Sequence, residues 1–364
     1  MTEINLKNCA AFFVIVFCGF YLKNIWVSPI YISTLLGVAF TIILSLKTKR
    51  CAVRIDSSIL IAISWIIYLI ITQIPYQKNS AFYNLIFSIL YYILSVQSIR
   101  TLHPKKIIQY SKWLLDFSGI LLVVEAVTRI SNPIIKATET EQNAFYRFKY
   151  NSIMYQDSNY VGMFILVLFF FLIYLESECS MCLKKEKICF LILSVLTLSR
   201  SVIIVVFVLG FVFDRKINKF YKFIAFFFAS VLGMYLVVTY ILNDGSFISK
   251  LDIIKWSFKF FTEKASMYMR LFGYGLGHSV DYMGMGAHNL IVTYIMETGL
   301  VGFAFWVTML LNIFKRTRRK CYYIIIPFLV AGFSFASHFV PYLYCTISII
   351  LVLENLKGEG RVTT

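Results

Sequence analysis

Apolar runs of about 17–25 residues recur along the whole chain, and they constrain its fold more than any other feature. A helix of this length crosses the roughly 30 Å hydrocarbon core of a bilayer. The runs lie at about 9–23, 25–46, 57–74, 82–97, 111–130, 158–176, 188–213, 223–242, 288–314, 321–337 and 340–355. No period-two alternation marks the strands of a barrel. The sequence therefore predicts an all-α polytopic integral membrane bundle of about 11–12 transmembrane segments, forming a single domain over residues 1–364.

The net charge is +17, and the placement of that charge bears on topology and on partners. The basic residues gather in short loops between the apolar runs. These loops lie at about 47–54, 100–106, 184–187, 215–222 and 315–320. Because lysine and arginine concentrate in cytoplasmic loops, we expect these loops and both termini to lie in the cytoplasm. Short loops facing a bilayer indicate membrane lipids as partners, and no nucleic acid.

Residues 188–213 conflict with this topology if they form one span, because basic loops flank them on both sides. A break at Ser199-Arg200-Ser201 divides the run into pieces of about 11 and 13 residues, each short for a full crossing. Two structures stay open, a pair of short tilted spans and a re-entrant hairpin with Arg200 near its tip. Both place Arg200 toward the outer side, where a guanidinium needs water, an anion or a carboxylate.

Two segments on the outer side are long enough to carry a site, at about 131–157 and 243–287. Within the second, apolar residues recur at helical spacing from 248 to 261, and Lys255 and Lys259 lie on another face. This pattern is typical of an amphipathic helix lying in the membrane interface. A helix packed over the mouth of the bundle is the alternative.

His288 is the first catalytic candidate, because it follows a glycine-rich stretch and opens a long apolar run. A neutral imidazole at the water-facing start of a membrane helix can accept a proton from a hydroxyl, which is the role of a general base. A helix-capping or interface histidine is the structural alternative.

Glu297 lies nine residues after His288, about 13 Å further along a helix and on its opposite side. A carboxylate within a bilayer needs a cation or hydrogen-bond donors. We therefore expect Glu297 to tie its helix to a neighbour. Gly299 and Gly302 agree with this, because small residues allow helices to approach closely.

Three arginines offer the planar fork that binds phosphate groups: Arg129, Arg200 and Arg270. Glu125 stands four residues before Arg129, so an ion pair within one helix is expected there. Two roles stay equally open for Arg270: it binds an anion near His288, or it contacts lipid headgroups.

The run Gly273-x-Gly275-x-Gly277 lacks the surrounding strand and βαβ unit of a dinucleotide fingerprint, so it predicts a tight external turn. His278, Asp281 and His288 do not form a recognisable metal-ligand pattern. No metal and no cofactor are expected.

Three motifs occur in a recognisable order. They are Asp157-Ser158-Asn159-Tyr160, Leu198-Ser199-Arg200-Ser201, and Gly273-x-Gly275 followed by His288-Asn289 and Glu297-x-Gly299-x-x-Gly302. In these motifs the chain resembles the O-antigen polymerase and O-antigen ligase family of bacterial envelope glycosyltransferases. The third motif is the most specific of them. Ser201 departs from the pattern, since many relatives have glycine after the arginine.

The resemblance implies a GT-C-like fold in the bacterial inner membrane and an inverting, metal-independent transfer on its outer face. The donor would be an oligosaccharide on undecaprenyl diphosphate, the acceptor a sugar hydroxyl, and a chain-length regulator a further partner. The resemblance implies that His288 acts on the acceptor hydroxyl and that Arg200 and Arg270 hold the diphosphate. The residues implied to support this site are Asn289, Glu297 and Asn159.

Three functions remain open at the level of the sequence. We favour a polymerase that joins polysaccharide repeat units, because the external loops are modest and the motifs are loosely matched. The first alternative is an O-antigen ligase, which transfers the finished glycan to lipid A-core. The second alternative, from another class, is a flippase or other transporter in which Arg200 and Glu297 bind a charged lipid or ion. No duplicated halves support a transporter.

Overall fold

A computed structural model describes residues 2–48, 55–134, 147–155, 157–215, 218, 220, 222, 245–284 and 288–359. The predicted span at 223–242 lies outside the described residues. So do 135–146 of the first predicted external loop and 285–287 of the second.

The described residues form helices joined by turns. The helices are α1 (Glu3–Val16), α2 (Pro29–Thr48), α3 (Ser57–Thr72), α4 (Ser80–Arg100), α5 (Pro104–Ser131), α6 (Arg147–Tyr150), α7 (Ser158–Glu178), α8 (Lys184–Leu196), α9 (Arg200–Phe213), α10 (Gly245–Lys259), α11 (Met267–Phe272), α12 (Ser279–Met283), α13 (Leu290–Arg316), α14 (Tyr322–Gly332) and α15 (Pro341–Gly358). The all-α prediction is confirmed for these ranges.

Four helices in the described part of the chain are long and apolar enough to cross a membrane. They are Pro29–Lys47, Ser80–Arg100, Ser158–Glu178 and Leu290–Arg316. Shorter apolar helices accompany them at Ser57–Thr72, Arg200–Phe213 and Tyr322–Gly332. The first predicted run, 9–23, is displaced from the helix that forms, Glu3–Val16, because the Thr2 side chain caps the helix by accepting from the Asn5 amide.

Helix α7 is the centre of the bundle. It is apolar on every side, and 89% of its most apolar 18-residue stretch is buried within the protein. This is expected of a helix that other helices surround. It packs against α8, α9, α14 and α15. At Gly162 it lies so close to α9 that an added Cβ would come within 2.9 Å of the Val202 side chain.

The run 188–213 forms two helices, as the break at Ser199-Arg200-Ser201 predicted. Helices α8 and α9 are separated by 197–199, where Leu198 has a φ of 58°. Ser199 is the N-cap of α9 and Arg200 its first residue. Because both helices pack against α7, the chain reverses at this point.

Acidic side chains gather the basic loops at one end of the bundle, which we call the basic end. Asp56 pairs with Arg100, and its Oδ2 lies 2.7 Å from Nη1 of Arg316. Glu178 Oε1 lies 2.7 Å from Lys320 Nζ and 2.5 Å from Arg215 Nη2. Five elements distant in sequence are joined there.

Helix α13 has a kink at Gly299, whose φ is 70° and whose backbone is not helical. The Gly299 backbone packs directly on Gly273. A Cβ on Gly299 would collide with the backbone at 271–273, and a Cβ on Gly273 with the backbone at 297–299. The carbonyls just before the kink find new donors: Met296 O accepts from Tyr274 N at 3.1 Å and Thr298 O from Tyr68 Oη at 2.6 Å. The close approach predicted from Gly299 is confirmed, with the addition of a helix break.

We expect Gly299→Ala to destabilise the protein by roughly 2–4 kcal/mol, because a left-handed φ and a collision with the Leu271 carbonyl act together. The measurement is the Tm of purified protein in detergent. Gly119→Ala in α5 is the matched control, since an added Cβ meets nothing within 4 Å there, and it should be neutral or stabilising by up to about 1 kcal/mol. Equal Tm values for the two variants would contradict this account.

Candidate functional site

The loops opposite the basic end converge, and we call this the pocket end: residues 17–28, 73–79, 151–155 and 333–340. The loop after α1 is joined to the segment before α7. Lys23 N donates to Ile153 O at 2.8 Å, and Tyr155 Oη donates to Gly19 O at 2.9 Å. The two segments are thereby held at the mouth of the bundle.

The glycine-rich run 273–277 is a tight turn at this end, as predicted. Gly273, Gly275 and Gly277 all have positive φ. The turn is held to the loop after α3 by hydrogen bonds from Tyr76 Oη to Gly273 O (3.1 Å) and from Asn79 Nδ2 to Leu276 O (2.7 Å).

His278, at the end of this turn, contacts acceptors with both ring nitrogens. Nδ1 lies 2.7 Å from Asp281 Oδ2 and Nε2 lies 3.0 Å from Gln77 O. Since neither partner donates, both ring nitrogens must carry protons to make both bonds. Burial opposes the charged form, but these two acceptors outweigh it and raise the pKa of His278.

Arg129 is completely buried and pairs with Glu125, as predicted. Its Nε donates to Glu125 Oε1 at 2.8 Å. Its other nitrogens bind two distant segments: Nη1 donates to Phe148 O at 2.6 Å and Nη2 to Leu196 O at 2.8 Å. Arg129 thus fixes α6 and the end of α8 against α5. It is a structural group, with its fork occupied by protein acceptors.

A cluster of cations lies beside these two segments, and we call it the cation cluster: Lys149, Arg200, Lys250 and Arg129. Lys149 is only 7% exposed. Burial lowers the pKa of Lys149 from 10.5 to about 8, with Asp157 opposing this and the charges of Arg200, Lys250 and Arg129 reinforcing it. Arg200, Lys250 and Arg129 therefore lie close enough to Lys149 to repel its charge. Arg200, the predicted phosphate ligand, is exposed at the start of α9.

Two helix starts and two buried hydroxyls adjoin the cation cluster. Ser158 begins α7, and Ser199 caps α9. The hydroxyl groups of both are buried, at 0% and 1% residue exposure, and neither finds a hydrogen-bond partner among the described residues. The Ser199 Cβ lies 3.5 Å from a Cβ placed on Gly162, one turn beyond Ser158. Buried hydroxyls at positive helix ends favour an anion at this place.

An apolar groove between α5 and α8 ends at the cation cluster. It consists of two adjoining cavities of 510 and 620 Å³, which share Val123, Lys185 and Cys189. At the pocket end its lining includes Leu196, whose carbonyl receives the Arg129 guanidinium. Exposed side chains such as Ile192 and Val127 border the groove, so it opens sideways. An apolar channel that ends at cations matches a lipid with a phosphate head.

A second, polar cavity of about 360 Å³ lies at the pocket end. Apart from Ala81 and Ala336, its lining side chains are aromatic or polar. They include Tyr21, Lys23, Asn84, Tyr155, Tyr160, Ser337, His338 and Phe339. Tyr160 also belongs to the first turn of α7, where its amide lies 3.4 Å from Asp157 Oδ1. The cavity and the cation cluster therefore meet at the start of α7.

His338 is the residue in this cavity that sequence reasoning missed. Its Nε2 lies 2.8 Å from Oε2 of Glu297, a carboxylate that is only 2% exposed. The sequence predicted that Glu297 ties α13 to a neighbouring helix, whereas its observed partner lies in an irregular segment. Its partner stands 41 positions away in a short irregular segment, where the sequence offers no local signal beyond the histidine itself.

His288 is exposed and stands just before Asn289, the N-cap of α13. Asn289 Oδ1 accepts from the amides of Ile291 and Val292, and its Nδ2 donates to Phe333 O at 3.2 Å. This bond places the backbone of His288 beside the segment 333–339, which forms one wall of the polar cavity. The His288 side chain is not among those lining the cavity, so its catalytic role stays a prediction.

The other predicted site residues have mainly local contacts. Arg270 donates from Nε to Ala265 O at 3.1 Å and from Nη2 to Thr262 O at 2.6 Å, so two of its nitrogens close the preceding turn. The Asn159 amide donates to Asp157 Oδ1 at 2.8 Å, so Asp157 is the N-cap of α7. Arg200 and Asn289 both lie at helix starts at the pocket end, Glu297 lies further along α13, and Arg270 is on the adjoining α11.

No protein-family model matches the chain, and no curated protein matches it.

We expect anion binding at the cation cluster to weaken as the pH rises through about 8. Lys149 has a lowered pKa, so it is protonated below about 8 and loses its charge above it. Sulfate is a suitable probe because its own charge is constant in this range. Its Kd, measured by calorimetry in neutral-lipid nanodiscs, should rise up to about tenfold between about pH 7 and about pH 9. Lys149→Arg should abolish this rise, since arginine stays charged. The same rise in Lys149→Met would exclude Lys149 as its origin.

We expect Arg129→Met to destabilise the protein by about 3–5 kcal/mol, because it leaves the Glu125 carboxylate buried and unpaired. The double variant Glu125→Leu, Arg129→Met removes both charges and should recover most of this loss. Both the single and the double variant lack the bonds to Phe148 and Leu196, so both should bind sulfate more weakly than wild type. Measuring Tm and sulfate Kd on the same preparations separates the effect on stability from the effect on the cation cluster. Normal sulfate binding in the double variant would show that Arg129 does not position the cluster.

Proposed function

We propose that this protein is a membrane glycosyltransferase that polymerises polysaccharide repeat units, of the O-antigen or capsule type. It transfers a glycan from undecaprenyl diphosphate to an acceptor sugar hydroxyl, with inversion and without a metal. In this proposal the pocket end faces outward from the bacterial inner membrane, and the basic end and both termini face the cytoplasm. The gathering of the basic loops at one end supports that orientation.

The observation that carries the proposal is the apolar groove that ends at the cation cluster. A polyprenyl diphosphate has a long apolar chain and a highly charged head, and both parts find a matching surface here. A soluble sugar nucleotide needs no such groove. The polar cavity adjoins the same place, on the opposite side of the α7 start.

The mechanism follows from these groups. The acceptor oxygen attacks the anomeric carbon from the side opposite the diphosphate, so the configuration inverts. The bond between that carbon and the diphosphate oxygen breaks, and the negative charge on the leaving group is stabilised by Arg200, Lys149 and the start of α9. The hydroxyl proton passes to His288, which lies at the water-facing start of α13. The leaving undecaprenyl diphosphate remains in the groove.

We expect His288→Ala and Arg200→Gln to abolish polymer formation while leaving the protein inserted in the membrane. The test is a gel profile of surface polysaccharide from a deletion strain that is rescued by wild type or by each variant. Arg215→Gln is the charge-matched control, because Arg215 is exposed at the basic end. We expect it to rescue fully.

Each outcome of this experiment is informative. A core that carries a single repeat unit in the deletion strain, with a ladder restored by wild type and by Arg215→Gln but not by His288→Ala or Arg200→Gln, establishes a polymerase. Bare core with long chains on the lipid carrier indicates a ligase. Retained polymer in both His288→Ala and Arg200→Gln would refute the mechanism, and an unchanged ladder in the deletion strain would refute the function.

A further inference from the structure

The polar cavity at the pocket end has the composition of a carbohydrate site. Tyr21, Tyr155 and Phe339 pack against one another around it, with ring centroids 5.0 Å apart for Tyr21–Phe339 and 5.7 Å for Tyr21–Tyr155. A sugar has apolar C–H faces, which pack on the electron-rich faces of aromatic rings. Its hydroxyls need donors and acceptors, which Asn84, Ser337, His338 and Lys23 supply.

The size of the cavity agrees with this ligand class. About 360 Å³ falls at the lower end of the roughly 300–1,000 Å³ typical of small-molecule sites. The cavity is therefore large enough for one or two sugar rings and too small for a folded partner.

Glu297 lies beside His338. Nε2 of His338 is 2.8 Å from Oε2 of the buried carboxylate, which is within ion-pair distance but without hydrogen-bond geometry, and Nδ1 is the other ring nitrogen. When Nε2 carries the proton toward Glu297, Nδ1 can accept from a sugar hydroxyl. A buried carboxylate behind a histidine is a common arrangement for fixing which nitrogen is protonated. Glu297 lies two residues before the kink of α13 at Gly299.

The cavity lies between the two groups that the reaction needs. One wall is the segment 336–339. Phe333, three residues before it, accepts a hydrogen bond from Asn289, which adjoins His288. Another wall is Tyr160, next to the Asp157 cap and the cation cluster. The donor's anomeric carbon must stay at the diphosphate, so the ring that fills this cavity is the one that presents the attacking hydroxyl.

We propose that this cavity binds the terminal saccharide of the acceptor, with His338 accepting a hydrogen bond from a sugar hydroxyl and Glu297 positioning His338. The assignment of the saccharide as acceptor rests on the proposed glycosyltransferase function. The cavity itself is a saccharide site whether or not the chain polymerises its ligand.

The test is saturation-transfer NMR on the full-length protein in nanodiscs. The probe is the single repeat unit released by partial acid hydrolysis from the surface polysaccharide of the source strain. We expect wild type to bind it, and His338→Ala to raise its Kd at least about tenfold, as the loss of one well-formed contact would. Tyr21→Leu is a second variant, since Tyr21 lies in a loop and its loss removes stacking area. His103→Ala is the matched control, because His103 caps α5 at the opposite end.

The positioning role of Glu297 has its own readout. Glu297→Ala should weaken binding as His338→Ala does, whereas Glu297→Gln keeps an oxygen that can accept from His338 and should recover most of the affinity. Equal losses of affinity in Glu297→Ala and Glu297→Gln would show that Glu297 has a merely structural role.

Two outcomes overturn the inference: no saturation transfer to the repeat unit in wild type, or unchanged binding in both His338→Ala and Tyr21→Leu. Failure of the proposed function looks different. Binding that depends on His338 and Tyr21, in a protein whose deletion leaves the polysaccharide ladder unchanged, would support the saccharide site and reject the polymerase.

Discussion

The arrangement of the pocket end depends on the guanidinium of Arg129. It is buried with its counter-ion Glu125 within α5, and its remaining donors bind the carbonyls of Phe148 and Leu196. Those carbonyls belong to segments that carry Lys149 and lead to Arg200. A buried pair of this kind contributes little net stability. Its contribution is geometric, because Arg129 holds together three segments that are far apart in the sequence: α5, α6 and the end of α8.

The second constraint is the contact between the Gly273 and Gly299 backbones. Only residues without a Cβ can meet in this way, and Gly299 also needs its left-handed φ. The resulting kink releases carbonyls of α13, which the Tyr274 amide and Tyr68 hydroxyl then satisfy. Two residues before the kink, Glu297 reaches His338. The kink therefore divides α13 into two parts, and Glu297 lies at the end of the first part.

Most features that the sequence predicts correctly arise from interactions between near neighbours. Glu125 and Arg129 are one helical turn apart, and the polar break at Ser199 interrupts an apolar run. Membrane-length periodicity likewise reports one helix at a time. Lys149 and His338 could not be assigned in this way, because their surroundings come from residues far away in sequence. Packing of the loops at the bundle mouth decides their roles.

The surroundings of the positively charged side chains differ between the two ends of the bundle, and this difference bears on the proposed function. At the basic end, Asp56 and Glu178 each pair with two cations, so four basic side chains of these loops have a carboxylate of the protein as partner. At the pocket end, burial lowers the pKa of Lys149, and the charges of Arg200, Lys250 and Arg129 reinforce this. Two helix starts add further positive potential there, while unpartnered serine hydroxyls remain buried. In the proposed function, a diphosphate at the end of the apolar groove compensates this positive charge.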